Sequence, residues 1–282
     1  MKLPQSQAVV RFTVKGVHVV DLSAKQLRLE RLGDNIPYQQ GMDAMRSAMD
    51  RVRNDGQPTL LLLQHSPTIT TTRTGGRTHL KESVSQLELD GIQVIETDRG
   101  GDLTFHGPGQ LVGYPVIQLP ATKARLHLLE YVRRLEEALI QTCSRLGVVG
   151  CHRKEGLTGV WVSEHTNGQK EDWVNDPLAK KLVAIGVGVN RHGVTRHGFA
   201  LNMDIDLAHY TARMVPCGLV GRGVTSLAEQ LPALPPMNLL ERILIEELQF
   251  QLSQLETHTS SLPLSSTHNS ASMATINGET HG

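Results

Sequence analysis

The sequence predicts an α/β or α+β fold built on one sizeable sheet. Three observations predict it. Apolar runs of strand length recur along the chain, as in TLLLLQH (59–65), QLVGYPVIQL (110–119) and KLVAIGVGVN (181–190). Between them, Leu128, Val132, Leu135, Leu139 and Leu146 fall at helical spacing, with Arg133, Arg134, Glu136 and Glu137 on the other face. Strand-like and helix-like segments are therefore interleaved rather than segregated.

Taken in order, GMDAMRSAMDRVRNDG (41–56) reads as a helix that ends at a glycine. TLLLLQH follows as a buried strand. SPTITTTRTGGRT reads as strand or loop, leading to a glycine turn. GIQVIETDRGG (91–101) is a strand that runs into RGGDLTFHGPGQ (99–110), and QLVGYPVIQL is the next strand. After the helix at 126–146 come three strand-like runs, GLTGVWVSE, KLVAIGVGVN and GFALNMDID. Ser226 with Glu229 has capping-box spacing for a short helix, and Asn238 with Glu241 has it for a last helix, 239–255.

Two stretches differ from the rest. HTNGQKEDWVNDPL (165–178) is a polar insertion between strands and reads as an exposed loop. Residues 257–282 are rich in Ser, Thr, His and Asn without periodicity and read as a disordered tail.

Bulk properties exclude several classes. The 282 residues carry 28 Lys+Arg and 28 Asp+Glu, so the net charge is zero. That removes the general electrostatic argument for nucleic acid or an anionic membrane as main partner. Cys143, Cys151 and Cys217 form no CxxC spacing, which argues against a disulfide framework or a zinc site and points to a reducing compartment. The start, MKLPQSQAVVRF, has no long apolar segment of the secretory kind, and no apolar run is long enough to span a bilayer. A soluble, cytoplasmic protein is expected.

Three stretches carry chemistry. In RGGDLTFHGPGQ the glycines let backbone N–H groups approach a ligand, Arg99 can fork onto an anion, and His106 titrates near neutrality. The motif lacks the phosphate signatures GxGxxG and GxxxxGK[ST]. A tight turn and a binding loop are both open readings of these residues. Lys181 opens an otherwise apolar strand; it is either a solvated strand end or an ammonium facing a dry pocket, able to shuttle protons. RHGFALN (196–202) reads as a second polar turn that could wall the same pocket. Cys217, between Pro216 and Gly218 and just before the Ser226 helix, has a better context for a reactive thiolate than Cys143 or Cys151. Cys143 reads as a small buried side chain on the long helix, and Cys151 as a loop residue.

Together HSPTITT (65–71), RGGDLTFHGPGQLVGYPVIQL (99–119), TGVWV (158–162), KLVAIGVGV (181–189), HGFALN (197–202) and PCGLVGRGVTSL (216–227) resemble the lipoyl(octanoyl) transferase family, in the family's order and from about residue 15 to 255. The resemblance implies an α+β (mixed α/β) fold of the biotin/lipoate-protein-ligase catalytic type: a mixed sheet flanked by helices around an acyl tunnel. It implies a catalytic domain at 15–256, preceded by an extension (1–14) and followed by the polar tail (257–282). It implies transfer of an octanoyl or lipoyl group from acyl carrier protein to a lysine of lipoyl domains, those of 2-oxoacid dehydrogenases and of the glycine cleavage system, with no cofactor or metal. Carried over by motif, Cys217 is the nucleophile and Lys181 its lysine partner. The substrate walls become Arg99, Gly100, Gly101, Asp102, Leu103, Thr104, Phe105 and His106; Ala184, Ile185 and Gly186; and Gly198, Phe199 and Ala200. The sequence departs from the family in a longer loop before Lys181, in the polar form of HSPTITTTRTGG and in its tail.

On this reading a thiolate exchanges one thioester for another, and an amine then takes the acyl group as an amide without ATP. Glycine-loop N–H groups would polarise the thioester oxygen. The rival readings are an ATP-dependent lipoate- or biotin-protein ligase on the same fold, a cysteine hydrolase using His106 or His197, and a non-catalytic acyl-binding or carrier-docking protein.

Overall fold

The computed structural model describes residues 26–72, 77–119, 124–163, 170–215 and 223–259. The expected extension at 1–14 and the tail beyond Thr259 lie outside them. The described chain runs β1 (Arg28–Ile36), α1 (Tyr38–Asp55), β2 (Thr59–His65), β3 (Thr68–Thr71), α2 (Val84–Leu89), β4 (Gln93–Glu96), β5 (Thr104–His106) and β6 (Gln110–Val116). It continues with α3 (Ala124–Arg145), β7 (Cys151–Lys154), β8 (Leu157–Val162), α4 (Lys170–Asn175), β9 (Lys180–Val189), β10 (Thr195–Asn202), α5 (Leu207–Arg213), α6 (Leu227–Gln230) and α7 (Met237–Thr259).

Two sheets result. The larger has seven strands in the order β1-β2-β6-β10-β9-β8-β7, and the smaller has three in the order β4-β3-β5. Apart from the parallel pairs β1–β2 and β3–β4, neighbouring strands run antiparallel. One face of the large sheet packs on α3 and α7 through Leu135, Leu139, Leu244 and Leu248. The other packs on α1 through Met42, Met45, Ala48 and Val52. A separate apolar cluster, including Ile69, Leu87, Phe105 and Tyr210, joins the small sheet to α2 and α5.

Local chemistry explains most boundaries. α1 ends at Gly56, whose φ of 65° is left-handed and whose N–H caps Val52 O. α6 begins where Ser226 Oγ accepts from Glu229 N, as the capping spacing predicts. α7 begins two residues earlier than expected. Leu239 and Leu240 N–H both bond Pro236 O, so proline starts the helix and Asn238 lies inside it. Three more expectations are corrected. The stretch expected as an exposed loop contains α4, and its Asp176 is buried, accepting from Ser163 Oγ at 2.7 Å. Cys151 lies in β7, buried beside Cys143, not in a loop. RHGFALN is strand β10, not a turn.

The sheet centre is held open by glycine. Phe199 and Gly113 are paired across β10 and β6. A Cβ at Gly113 would lie 2.2 Å from the Phe199 ring, so the ring occupies the space a side chain would take. Phe199 is itself fully packed and has nowhere to go. Gly113→Ala is therefore expected to destabilise the fold by about 1–3 kcal/mol through overpacking, seen as a lower urea midpoint at unchanged slope. An unchanged midpoint would show that the Phe199 ring can move.

Candidate active site

Side chains are missing from one place on the large sheet. β9 and β10 set Ala184 opposite Ala200 and Gly186 opposite Gly198. Residues two apart on a strand share a face, so the four make one patch without bulk. Above it lies a small pocket, with about 30 Å³ of space open to water, walled by Tyr38 of α1, Thr104 and His106 of β5, Val112 and Tyr114 of β6, Arg99, His197 and Phe199. No carboxylate lines it among the described residues. A Cβ on Gly186 would come within 2.7 Å of Gly100 O and 3.2 Å of Arg99 Cδ, so the Arg99–Gly101 turn lies directly on the sheet. Gly100 N–H anchors that turn on Val187 O at 3.1 Å. This N–H is thereby committed to the sheet.

Arg99 is held, not loose. Its Nη2 donates to Thr70 O and Oγ1, both at 2.9 Å, its Nε to Thr70 Oγ1 at 3.2 Å and its Nη1 to Gly100 O at 3.1 Å. The polar HSPTITT strand thus supplies the seat for this cation.

The histidines around the pocket each have a fixed role. His65 Nδ1 sits 3.0 Å from Ile36 O and can only donate to it, so Nε2, 2.6 Å from Tyr114 Oη, accepts. Burial lowers the His65 pKa to about 4, against the opposing bond to Ile36 O. His106, fully inside, is held well below the ordinary histidine value by burial, then by His65 and Arg99. His197 has φ of 59°, unusual for a residue with a side chain, and its Nε2 lies 2.8 Å from Asp98 Oδ1. Burial lowers its pKa, while Asp98 pulls the other way. The Tyr38 ring stacks on His106 at 6.2 Å and tilts on His65 at 5.1 Å. These groups form a dry, neutral wall beside one cation.

The structure sorts the expected substrate walls into two groups. Arg99, Thr104, His106, Ala184, Gly186, Gly198, Phe199 and Ala200 line the pocket. Gly100, Gly101, Asp102, Leu103, Phe105 and Ile185 do not. Leu103 and Phe105 pack under the small sheet, and Ile185 packs against the α3–α7 side. Asp102 pairs with His79, 2.7 Å away, and Gly101 has φ of 88° and accepts from Thr72 Oγ1. Tyr38, Val112, Tyr114 and His197 complete the lining. Sequence periodicity already placed Val112 and Tyr114 on a strand; nothing local to Tyr38 signalled a pocket.

Lys181 is buried, not a solvated strand end. Opposite it β8 and β9 slip register by one residue, so that Leu182 and Val183 both join the core cluster. Lys181 thereby falls on the other face, where its Nζ lies 4.8 Å above the Trp161 ring. Its backbone pairs with Val224: Lys181 N–H donates to Gly223 O and Thr225 N–H to Lys181 O, both at 3.0 Å. Cys217 lies outside the described residues. Among the described residues no group of three or more His, Cys, Asp or Glu is placed to hold a metal ion, and no helix is long and apolar enough to cross a membrane.

The fold is similar to that of lipoate protein ligases. The bipartite ligase of Thermoplasma acidophilum aligns with a TM-score of 0.61 at 14% identity, over 81% of this chain and 84% of that one. Lipoate-protein ligase A bound with ATP gives 0.54 at 18% identity, over 81% and 85%. At such identities the likeness speaks for the fold alone. The family comes from the sequence: residues 37–249 match the lipoyl protein ligase A/B catalytic domain, and the chain belongs to that family. Among its relatives are octanoyltransferases of Koribacter versatilis, 47% identical over 64% of this chain and 66% of that protein, and of Acidobacterium capsulatum, 43% over 71% and 79%. Another, from Chloroflexus aurantiacus, is 40% identical over 79% of this chain and 92% of its own.

The depressed His65 pKa makes stability depend on pH. Below about 6.5 the unfolded chain protonates this histidine and the folded chain does not, so folding weakens as pH falls from about 6.5 toward 4. For His65 alone the loss between pH 7.5 and 5 is about 2 kcal/mol. His65→Gln, whose amide does not titrate, should flatten that part of the curve in urea unfolding across the same range. Parallel curves for the two proteins would show that His65 is charged in the fold.

Proposed function

We propose that this chain moves an octanoyl group from acyl carrier protein to a lysine of a lipoyl domain through a thioester on Cys217. Octanoyl transfer for protein lipoylation is the activity its relatives at 40–47% identity support. The acyl-enzyme, the two partner proteins and a cytoplasmic setting go beyond them. One observation carries the reading. Lys181 is buried on the strand whose Ala184 and Gly186 floor the pocket, and its backbone is paired to the residues that follow Cys217 in sequence.

The chemistry balances without a further reagent. The Cys217 thiolate adds to the thioester carbonyl and expels the carrier thiolate, which takes up a proton. The acceptor amine then adds to the new thioester, an N–C bond forms, the S–C bond breaks and Cys217 leaves as the thiolate. The proton lost by the amine passes to Lys181 in its neutral form. As a cation, Lys181 instead favours the thiolate of the resting enzyme. The apolar chain gains roughly 0.8 kcal/mol per buried CH₂ in a pocket that no carboxylate lines among the described residues.

Mixing the protein with octanoyl-acyl carrier protein should give an octanoyl adduct in the intact mass, labile to added thiol. Cys217→Ser should abolish it, whereas Cys143→Ser and Cys151→Ser, both core positions, should not. Lys181→Ala should lower turnover by at least about a hundredfold with folding intact. An adduct that survives in Cys217→Ser overturns the assignment. Turnover from free octanoate and ATP alone would instead favour a ligase.

A further inference from the structure

Buried hydrogen bonds leave the pocket in a single line. His106 Nδ1 lies 2.8 Å from Gln110 Oε1, Gln110 Nε2 donates to Asn202 Oδ1 at 2.9 Å and to Phe105 O at 3.2 Å, and Asn202 Nδ2 donates to Thr225 O at 2.9 Å. Thr225 N–H then donates to Lys181 O at 3.0 Å. His106, Gln110 and Asn202 are 7%, 2% and 5% exposed, so water does not compete for these contacts.

The direction of the line is forced. Thr225 O can only accept, so the Asn202 amide nitrogen faces it and Asn202 Oδ1 faces Gln110. Gln110 Nε2 then meets two acceptors, and its Oε1 is turned to His106. His106 must therefore carry its proton on Nδ1. A neutral ring in that state has its lone pair on Nε2. Neither Gln110 nor Asn202 lines the pocket; His106 does.

We propose that Gln110 and Asn202 are positioning residues that hold His106 as the Nδ1–H tautomer, so that Nε2 accepts an N–H from the substrate in the pocket. The same line fixes the backbone paired with Lys181. The substrate side of this inference rests on the acyl-transfer reading given above. Of the two reactants, the thioester carries no N–H at its reacting carbon, whereas the incoming amine does. His106 Nε2 thus orients the amine, and the relay belongs to the second half of the reaction rather than the first.

The test uses the full chain labelled with ¹⁵N-histidine, His106 being assigned by the signals lost in His106→Gln. Long-range ¹H–¹⁵N correlations at pH 7.5 should show His106 protonated on Nδ1. Gln110→Met keeps the shape and removes both polar atoms. It should turn that pattern into a mixture of tautomers and slow transfer to a lipoyl-domain amine about tenfold or more, the effect of losing one buried hydrogen bond, while octanoyl loading from the carrier protein stays within about threefold. Asn202→Asp should be active at low pH, where the protonated carboxyl donates to Thr225 O, and should lose the amine step as pH rises and two oxygens face each other. Octanoyl loading that holds across the same pH range separates this loss from loss of the fold. His106 protonated on Nε2 in the unaltered protein, or Gln110→Met with unchanged tautomer and amine step, overturns the proposal. Should the unaltered protein form no octanoyl adduct, the acyl-transfer reading fails and the amine contact with it, while the tautomer pattern still decides what Gln110 does.

Discussion

Everything at the site depends on four positions where β9 and β10 carry almost no side chain. Ala184 faces Ala200 and Gly186 faces Gly198 in direct register, at the centre of a seven-stranded sheet. Glycine weakens a strand, since it orders more backbone freedom and packs nothing. The neighbours supply what these residues lack. β6 pairs with β10 over Phe199–Asn202, and β8 follows β9 only as far as Val183; beyond it, Gly100 N–H takes the outer edge at Val187 O. The Arg99–Gly101 turn lies on Gly186, and the Phe199 ring fills the space at Gly113 on the opposite face. The pocket is thus a surface left unfilled by register, and the surrounding elements keep it from collapsing.

Burial sets the charge state of that pocket as firmly as its shape. His106 and His197 line the pocket with one arginine, His65 lies behind His106, and desolvation comes first among the causes that lower all three histidine pKa values. Arg99 is the cation, and Thr70 and Gly100 O hold its guanidinium in place. A neutral wall with one fixed charge suits an acyl group joined to a polar carbonyl better than it suits a phosphate, which would draw several free donors. His65 and His106 reach the same tautomer by different means, one through a backbone carbonyl and one through a side-chain amide. Each leaves a single accepting nitrogen, and Tyr114 occupies that of His65. The two rings lie 5.6 Å apart, so protonating one would oppose protonating the other.

How much was legible in the sequence follows from how local each signal is. TLLLLQH is β2 to the residue, because an unbroken apolar run bounded by polar residues is buried on both faces whatever surrounds it. The long helix was legible in the same way from its stripe. β1 was not: RLERLGDNI carries charges on both faces, and only pairing with β2 at the sheet edge makes it a strand. Lys181 shows the opposite limit. Its sequence context allows either a solvated end or a buried ammonium, and the choice is made by a one-residue slip between β8 and β9, which no pattern within either strand records. Thr70 as the seat of Arg99 and Asn202 as a link to Thr225 are contacts between distant segments, and motif spacing could not pair them.

The glycine-rich stretch RGGDLTFHGPGQ shows why sheet and site cannot be separated here. Its sequence reads as a tight turn or a binding loop, yet its centre, Thr104–His106, is a buried strand of the small sheet, and its last residue begins β6 of the large one. Gly101 and Gly109, with φ of 88° and 82°, make the turns on either side. A Cβ at Gly109 would strike the backbone of Asp204 and Ile205 at 2.8 and 2.7 Å, and Gly109 O accepts from both Met203 and Asp204 N–H. The motif therefore joins the two sheets, turn by turn, with His106 at the seam. Gln110, four residues further on, turns that seam into a directed line of hydrogen bonds: its backbone belongs to the large sheet and its amide to the histidine of the small one. The glycines serve the chemistry by bringing these two residues together, and the polar side chains of the two carry it.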